Sequence, residues 1–383
     1  MPNKKTNNQN IEIADNKKDR ESVEYSLSQS ALILRRFKRH KLAIAGMIIL
    51  FMFYIAALLA PFFATTDPHH FYDSYLHAPP QKINFIDQEG KFHFRPFIYE
   101  LDKERDPRTF EQSYVFNKDK KLPLYFFARG EEYTLFNIFK TDIHFIGTEN
   151  NQPFFLFGTD GMGRDLFSRI IFASRISLTI GLFGVGIAFI LGCIIGGISG
   201  YFSGVTDIII QRIIELLLSI PTIPLWMSLA AAVPREWSQV QVFLAITVIL
   251  ALRNWAGLAR VVRGKIISLR DEDFVTAARL GGVSEPKIIF KHLLPLFMSY
   301  LIVNITLAIP AMIIGETALS FLGLGLRAPV VSWGVLLSEA QKLRVVSTYP
   351  WLMIPGLFVI LAVLSFNAVG DGLRDAADPY KSV

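Results

Sequence analysis

Residues Leu34–Phe63 read LRRFKRHKLAIAGMIILFMFYIAALLAPFF: five Lys/Arg side chains stand directly before a run, Leu42–Phe63, that carries no charge. At about 1.5 Å per residue such a run crosses a hydrocarbon core of about 30 Å. It is a spanning helix. The basic cluster before it fixes that end in the cytoplasm, so the helix exits outward. The rest of the chain fits a lipid environment: of 383 residues, 51% are hydrophobic and only 19% charged, outside the usual soluble range. The net charge of +6 gathers beside apolar segments, where it sets topology. No basic recognition helix or stacking motif accompanies it, which excludes a nucleic-acid partner.

Five further apolar segments follow: Ile176–Gly200, Leu216–Val233, Val240–Ala259 (interrupted near its end by Arg253), Leu296–Gly315 and Pro350–Val369. With six spans both termini are cytoplasmic, and the connection 260–295 falls on the same side. Its charge agrees, since Arg260, Arg263, Lys265, Arg270, Arg279, Lys287 and Lys291 outnumber Asp271, Glu272, Asp273 and Glu285. The fold class is therefore all-α and polytopic. The expected division is a partly disordered cytoplasmic tail (1–41, most polar over Met1–Tyr25), the first span (42–63), an extracytoplasmic insertion (64–157) and a membrane core (158–383). The insertion is too long for an ordinary connection. Its runs KINFIDQEGKFHFRPF, with a turn at Asp87–Gly90, and KLPLYFFARGEEYTLF, broken at Arg129-Gly130, point to a small β-rich unit.

Within the spans, Gly192, Gly196 and Gly200 recur every four residues, a face that admits a neighbouring helix closely, with Gly181 and Gly184 adding to it. Pro221 and Pro224 predict a kinked or broken third span. Cys193, the single cysteine, sits in an apolar run and reads as a small core residue. Enzymatic motifs are missing: the nearest approach to a phosphate loop, Gly257 to Lys265, has the wrong spacing, and there is no nucleophile elbow, metalloprotease helix or Cys/His cluster. His69 and His70 are adjacent and point different ways. The chain is expected not to be an enzyme, with no cofactor and no metal of its own.

The remaining polar island, Asp273–Pro295, reads DFVTAARLGGVSEPKIIFKHLLP. Asp273 is expected to cap a short helix, Phe274–Leu280, ended by Gly281-Gly282; a second helix then starts at Ser284 with Pro286 in its first turn and stops before Pro295. Phe274, Ala277 and Ala278 share a face by i,i+3 and i,i+4 spacing. A bulky anchor flanked by small residues suits a groove in another protein.

This island resembles the cytoplasmic signature of permease subunits of binding-protein-dependent ABC importers: Glu-Ala-Ala, three residues, Gly, nine residues, Ile-x-Leu-Pro. The matching positions are Thr276, Ala277, Ala278, Gly282, His292, Leu294 and Pro295, with Thr276 replacing Glu and His292 replacing Ile. GTDGMGRDLFSRIIFASRISL (Gly158–Leu178), ETALSFLGLGLRAPVVSWG (Glu316–Gly334) and FNAVGDGLRDAADP (Phe366–Pro379) narrow the resemblance to the second, C-type permease of the dipeptide, oligopeptide and nickel group. It implies a six-helix permease of the type I importer kind in the bacterial inner membrane, paired with a second, homologous permease. Two ATP-binding subunits carrying ATP and Mg, and an extracytoplasmic solute-binding protein, complete the implied assembly. Phe274–Gly282, with Asp273, would be its ATPase-coupling helix. Peptides, oligosaccharides or nickel are the implied solutes. The rival from another class is a secondary carrier or channel, which would need acidic or His relays deeper in the spans than Arg212, Glu215 and Glu316 offer.

Overall fold

The computed structural model describes residues 29–105, 112–136, 138–149 and 152–378. The polar tail Met1–Tyr25 lies outside them. The helices are α1 (Gln29–Phe37), α2 (Lys41–Leu58), α3 (Leu166–Phe202), α4 (Gly204–Ser219), α5 (Thr222–Ala231), α6 (Gln239–Leu269), α7 (Asp273–Leu280), α8 (Met298–Phe321), α9 (Trp333–Ser338) and α10 (Ile354–Ala377). Five helical runs, Lys41–Leu58, Leu166–Phe202, Gln239–Leu269, Glu285–Phe321 and Pro350–Ala377, are long and apolar enough to cross a membrane. Counted as one span, the bent pair α4 and α5 makes a sixth. Large apolar side chains such as Phe51, Phe183 and Leu357 remain exposed around the bundle. Water would penalise that surface and lipid does not.

α3 is the axis. Gly196 and Gly200 lie on the backbone of α6, where a Cβ at Gly196 would stand 2.4 Å from the Ala259 carbonyl oxygen and one at Gly200 2.8 Å from that of Arg263, while Gly192 faces the Leu258 side chain. Gly181 and Gly184 face Ile313 and Met312 of α8. The small-residue periodicity therefore serves two neighbours, at different levels of one helix. Cys193 is buried beside Val262 and Ile266. On the far side α2 packs against α10 and α3, with Gly46 against the Ser365 carbonyl and Gly372 against Ala43.

Several sequence expectations change. The bend expected from Pro221 and Pro224 is present, at 88° between α4 and α5, but the segment begins at Gly204, well before Leu216. α6 runs on past Arg253 to Leu269, a length of about 46 Å that carries it out of the hydrocarbon. Residues 29–37, within the expected 1–41 tail, form a helix that the sequence did not announce: Ile33 and Phe37 of α1 pack on Leu373 and Ala376 of α10, and Arg36 donates to the Asp378 carbonyl at 2.8 Å. Pro295 does not separate a second short helix from the next span, as described below.

Between α2 and α3 lies a four-stranded antiparallel sheet in the order β1 (Asn84–Ile86), β2 (Phe92–Arg105), β3 (Gln112–Leu135) and β4 (Phe139–Thr148). Asp87–Gly90 makes the β1–β2 turn, with Gly90 at φ 79° and the Asp87 carboxylate accepting from Glu89 and Lys91 N–H groups. Arg129-Gly130 does not end a strand. β3 continues through it with a bulge, and Gly130 is the position where the buried His144 ring comes close. Nδ1 of that ring lies 2.7 Å from the Ala64 carbonyl oxygen, tying the sheet to the end of α2.

Candidate functional site: the α7 surface and its anchorage

α7 is a two-turn helix whose N-cap is Glu272, without a side-chain cap bond; Asp273 stands in the first turn. Its carboxylate there complements the helix dipole, and capping falls to the preceding residue. The end is built as expected. Gly282 has φ 73°, its N–H reaches the Arg279 carbonyl at 3.1 Å, and the Val283 N–H reaches Ala278 at 3.1 Å. This is the paired closure that only a residue tolerant of positive φ allows.

One residue that the sequence reasoning passed over holds α7 in place. Val275 is fully buried among Val262 and Ile266 of α6, Tyr201 of α3, and Ile288, Ile289 and Leu293. Arg279 adds a second tie, placing its guanidinium over the Tyr201 ring at 5.6 Å and donating to the hydroxyl at 3.3 Å. Nearby, Arg263 of α6 donates twice to Asp207 of α4, each at 2.5 Å, and Arg270 reaches the Gly200 carbonyl and the Ser203 hydroxyl. The loop is thus fastened to three helix ends.

The signature positions divide into two groups. Asp273, Phe274, Thr276, Ala277 and Gly282 are exposed, and Ala278 is half-buried against the Val275 cluster. Leu294 is buried and His292 half-buried, while Pro295 is exposed. So Ala278 belongs partly to the anchorage, and Leu294 wholly to it. Leu280 is the most exposed apolar residue of the loop, at 85%; its place at the helix end, just before the glycines, was the available sequence signal.

After Ser284 the chain turns helical at Glu285–Lys287, widens to a π-helix over Ile288–Leu293, tightens to a 3₁₀ turn over Leu294–Phe297, and enters α8. The cause is Pro295, which has no N–H for the preceding turn. The Leu294 N–H closes on the Ile289 carbonyl, one residue beyond the α-helical partner. The loop and the next span are one continuous path.

A second polar constellation, which sequence reasoning also missed, joins two of the quoted motifs at the other end of the bundle. Glu316 is fully buried, and its carboxylate accepts from Ser177 of α3 (3.2 Å), from Ser320 (2.8 Å) and from Ser332 (2.7 Å), which caps α9. Ser177 in turn accepts the Trp333 N–H at 3.1 Å. A short distance along, Asp160 receives Arg164 at 2.7 Å and also Arg169, and both arginines reach Oε1 of Glu339, at 2.8 and 3.2 Å. A glutamate inside an apolar run, followed four residues later by serine, was the signal for the first group.

A family model of the inner membrane component of binding-protein-dependent transport systems matches residues 188–382. The chain belongs to this family. A second model, the N-terminal transmembrane domain of oligopeptide transport permease C, matches residues 28–80 of the permease. Among similar proteins, the dipeptide transport system permease protein of Alkalihalophilus pseudofirmus is 40% identical over 224 residues, which are 58% of this permease and 71% of that protein. The oligopeptide transport system permease protein of Haemophilus influenzae is 42% identical over 229 residues, 60% and 71% of the two chains. A dipeptide transport system permease protein of Bacillus subtilis is 39% identical over 236 residues, 61% and 72%. Neither family model reaches residues 81–187, so the permease carries its β-sheet outside both.

Proposed function

We propose that the permease forms half of a translocation pathway for peptides in an ABC importer, and that it works with a second permease, two ATP-binding subunits and a solute-binding protein. The observation that carries the reading is the α7 surface: exposed Phe274, Ala277 and Leu280 on a helix whose buried side is locked to α3 and α6. Such a helix receives a push without deforming. Peptides are favoured over oligosaccharides or nickel by the similar proteins, which are named for dipeptide and oligopeptide transport. In this reading ATP and Mg sit on the partner subunits, α7 faces the cytoplasm with both termini, and the β-sheet insertion stands outside, where it meets the binding protein or covers the pore entrance. The test is purification of the tagged chain in mild detergent. A stoichiometric ATP-binding subunit and second permease, with ATPase activity stimulated by peptide-loaded binding protein, are expected. A chain that purifies alone and moves solute through vesicles without ATP overturns the proposal.

A further inference from the structure

Just before the N-terminus of α3, a cavity of about 560 Å³ opens between the Gly161–Arg164 turn, the α8–α9 loop and the segment after α9. That volume is in the range that encloses small molecules. Its floor is apolar, with Met162, Leu326, Val335 and Val345. Its charge is not random. Arg164 and Glu339 line it and are balanced by Asp160 and Arg169 behind them; both arginines grip Glu339 through Oε1, and among the described residues Oε2 accepts no hydrogen bond. Arg327 and Lys342 line the same cavity, and among the described residues neither forms an ion pair. Arg327 spends Nε on the Gly323 carbonyl at 2.9 Å, and among the described residues its terminal nitrogens donate to no partner.

We propose that this cavity is a subsite for a peptide in transit, in which Arg327 and Lys342 take the C-terminal carboxylate and the free oxygen of Glu339 takes the N-terminal ammonium. The chemistry is complementary in both signs. Two cations meet one carboxylate through charge-assisted hydrogen bonds, a carboxylate already oriented by two arginines keeps one acceptor oxygen, and the apolar floor between them accommodates side chains without choosing among them. A neutral solute would leave these charges unanswered. A bare metal cation would meet a surplus of positive charge from Arg327 and Lys342. The anchoring of Glu339 through Arg164, Arg169 and Asp160 makes it a fixed post, and His77, stacked on Tyr349 at 4.0 Å, closes the wall beside the sheet.

This subsite rests on the peptide-import reading. The test uses the whole importer in proteoliposomes, with the dipeptide alanyl-phenylalanine as probe and the binding protein saturated with it. Arg327→Gln and Lys342→Gln should each lower uptake about tenfold, with Lys342→Arg restoring it, while the concentration of binding protein that half-maximally stimulates ATPase activity stays put. Unchanged uptake in the Gln variants overturns the subsite. So does a raised half-maximal concentration with normal uptake at saturation, which would assign the two cations to the binding protein. Failure of the underlying reading looks different: the wild-type importer itself takes up no dipeptide.

Discussion

Ala277→Asp separates docking from folding more cleanly than any other change in α7. Ala277 is exposed, so the permease loses only helix propensity, at most about 0.7 kcal/mol. Insertion and assembly of the spans should be untouched. Pressed into a groove of an ATP-binding subunit, however, the carboxylate would be desolvated without a partner, a cost of several kcal/mol. At about 1.4 kcal/mol per tenfold, productive engagement should fall by more than about 100-fold. Ala278→Asp is the poorer probe, because Ala278 is half-buried with Val283 beside the Val275 cluster and its carbonyl closes the helix end. Val275→Ala is the informative contrast. It removes two methyl groups from a fully buried site, worth about 2 kcal/mol with the cavity included, and should loosen α7 without altering the surface it presents. The assay is peptide uptake and binding-protein-stimulated ATPase activity in proteoliposomes, with complex size checked by gel filtration. Ala277→Asp should abolish both activities, and Val275→Ala should reduce coupling increasingly as temperature rises. Full coupling in an assembled Ala277→Asp complex would refute the docking role of this face.

Two further outcomes concern packing and pH. Asp165, which caps α3 through the Ser168 N–H, is buried with one carboxylate oxygen unpaired, and desolvation pushes its pKa up to about 6. A raised carboxyl pKa means the folded state holds the proton more tightly, so stability falls as pH rises from about 4 through 6 and the cost is complete above; at about 1.4 kcal/mol per unit it reaches about 3 kcal/mol. Asp165→Asn keeps a capping acceptor and should raise the melting temperature in detergent at pH 8 but not at pH 4; an equal effect at both would contradict the assignment. Gly196→Ala drives a Cβ toward the Ala259 carbonyl and should cost about 1–3 kcal/mol or more, whereas Gly186→Ala, which faces open space, should leave folded yield in membranes unchanged.

The spans were legible because crossing a bilayer imposes a length and an absence of charge that local sequence cannot disguise. Gly192, Gly196 and Gly200 announced a close helix contact, yet which helix supplied it depended on how α3 and α6 run alongside each other, information that no local pattern holds. α1 escaped because nine residues carrying Arg35 and Arg36 look like the rim of a membrane segment; its helix is justified by α10, over three hundred residues away. At Pro295 the sequence signalled a break, but a proline in a helical path is also accommodated by widening the turn before it. In the candidate site the exposed half of α7 was readable from spacing, and its buried half was not. Val275 looks like any other apolar residue until α3 and α6 stand around it.

That buried half decides what α7 is able to transmit. α3, at 37 residues and about 55 Å, reaches from the α7 anchorage to the second polar constellation, as does α8, which has Leu301 in the Val275 cluster and carries Glu316. Near one end of α3 Tyr201 receives Arg279, Gly196 and Gly200 rest on the α6 backbone at Ala259 and Arg263, and Gly192 rests on the Leu258 side chain. Toward the other, Ser177 binds Glu316 and Trp333, and Arg169 binds Asp160 and Glu339. Packed interfaces of this kind shift as units and do not flex gradually. A displacement of α7 therefore cannot be absorbed at its own base. A displacement that leaves the Val275 cluster intact would carry α3, α6 and the start of α8 together, since all three contribute to it. The bent joint at Pro221 is differently placed, since α4 is tied to α6 by Asp207 and Arg263, while α5 beyond the bend packs Trp226 against Gly315 of α8.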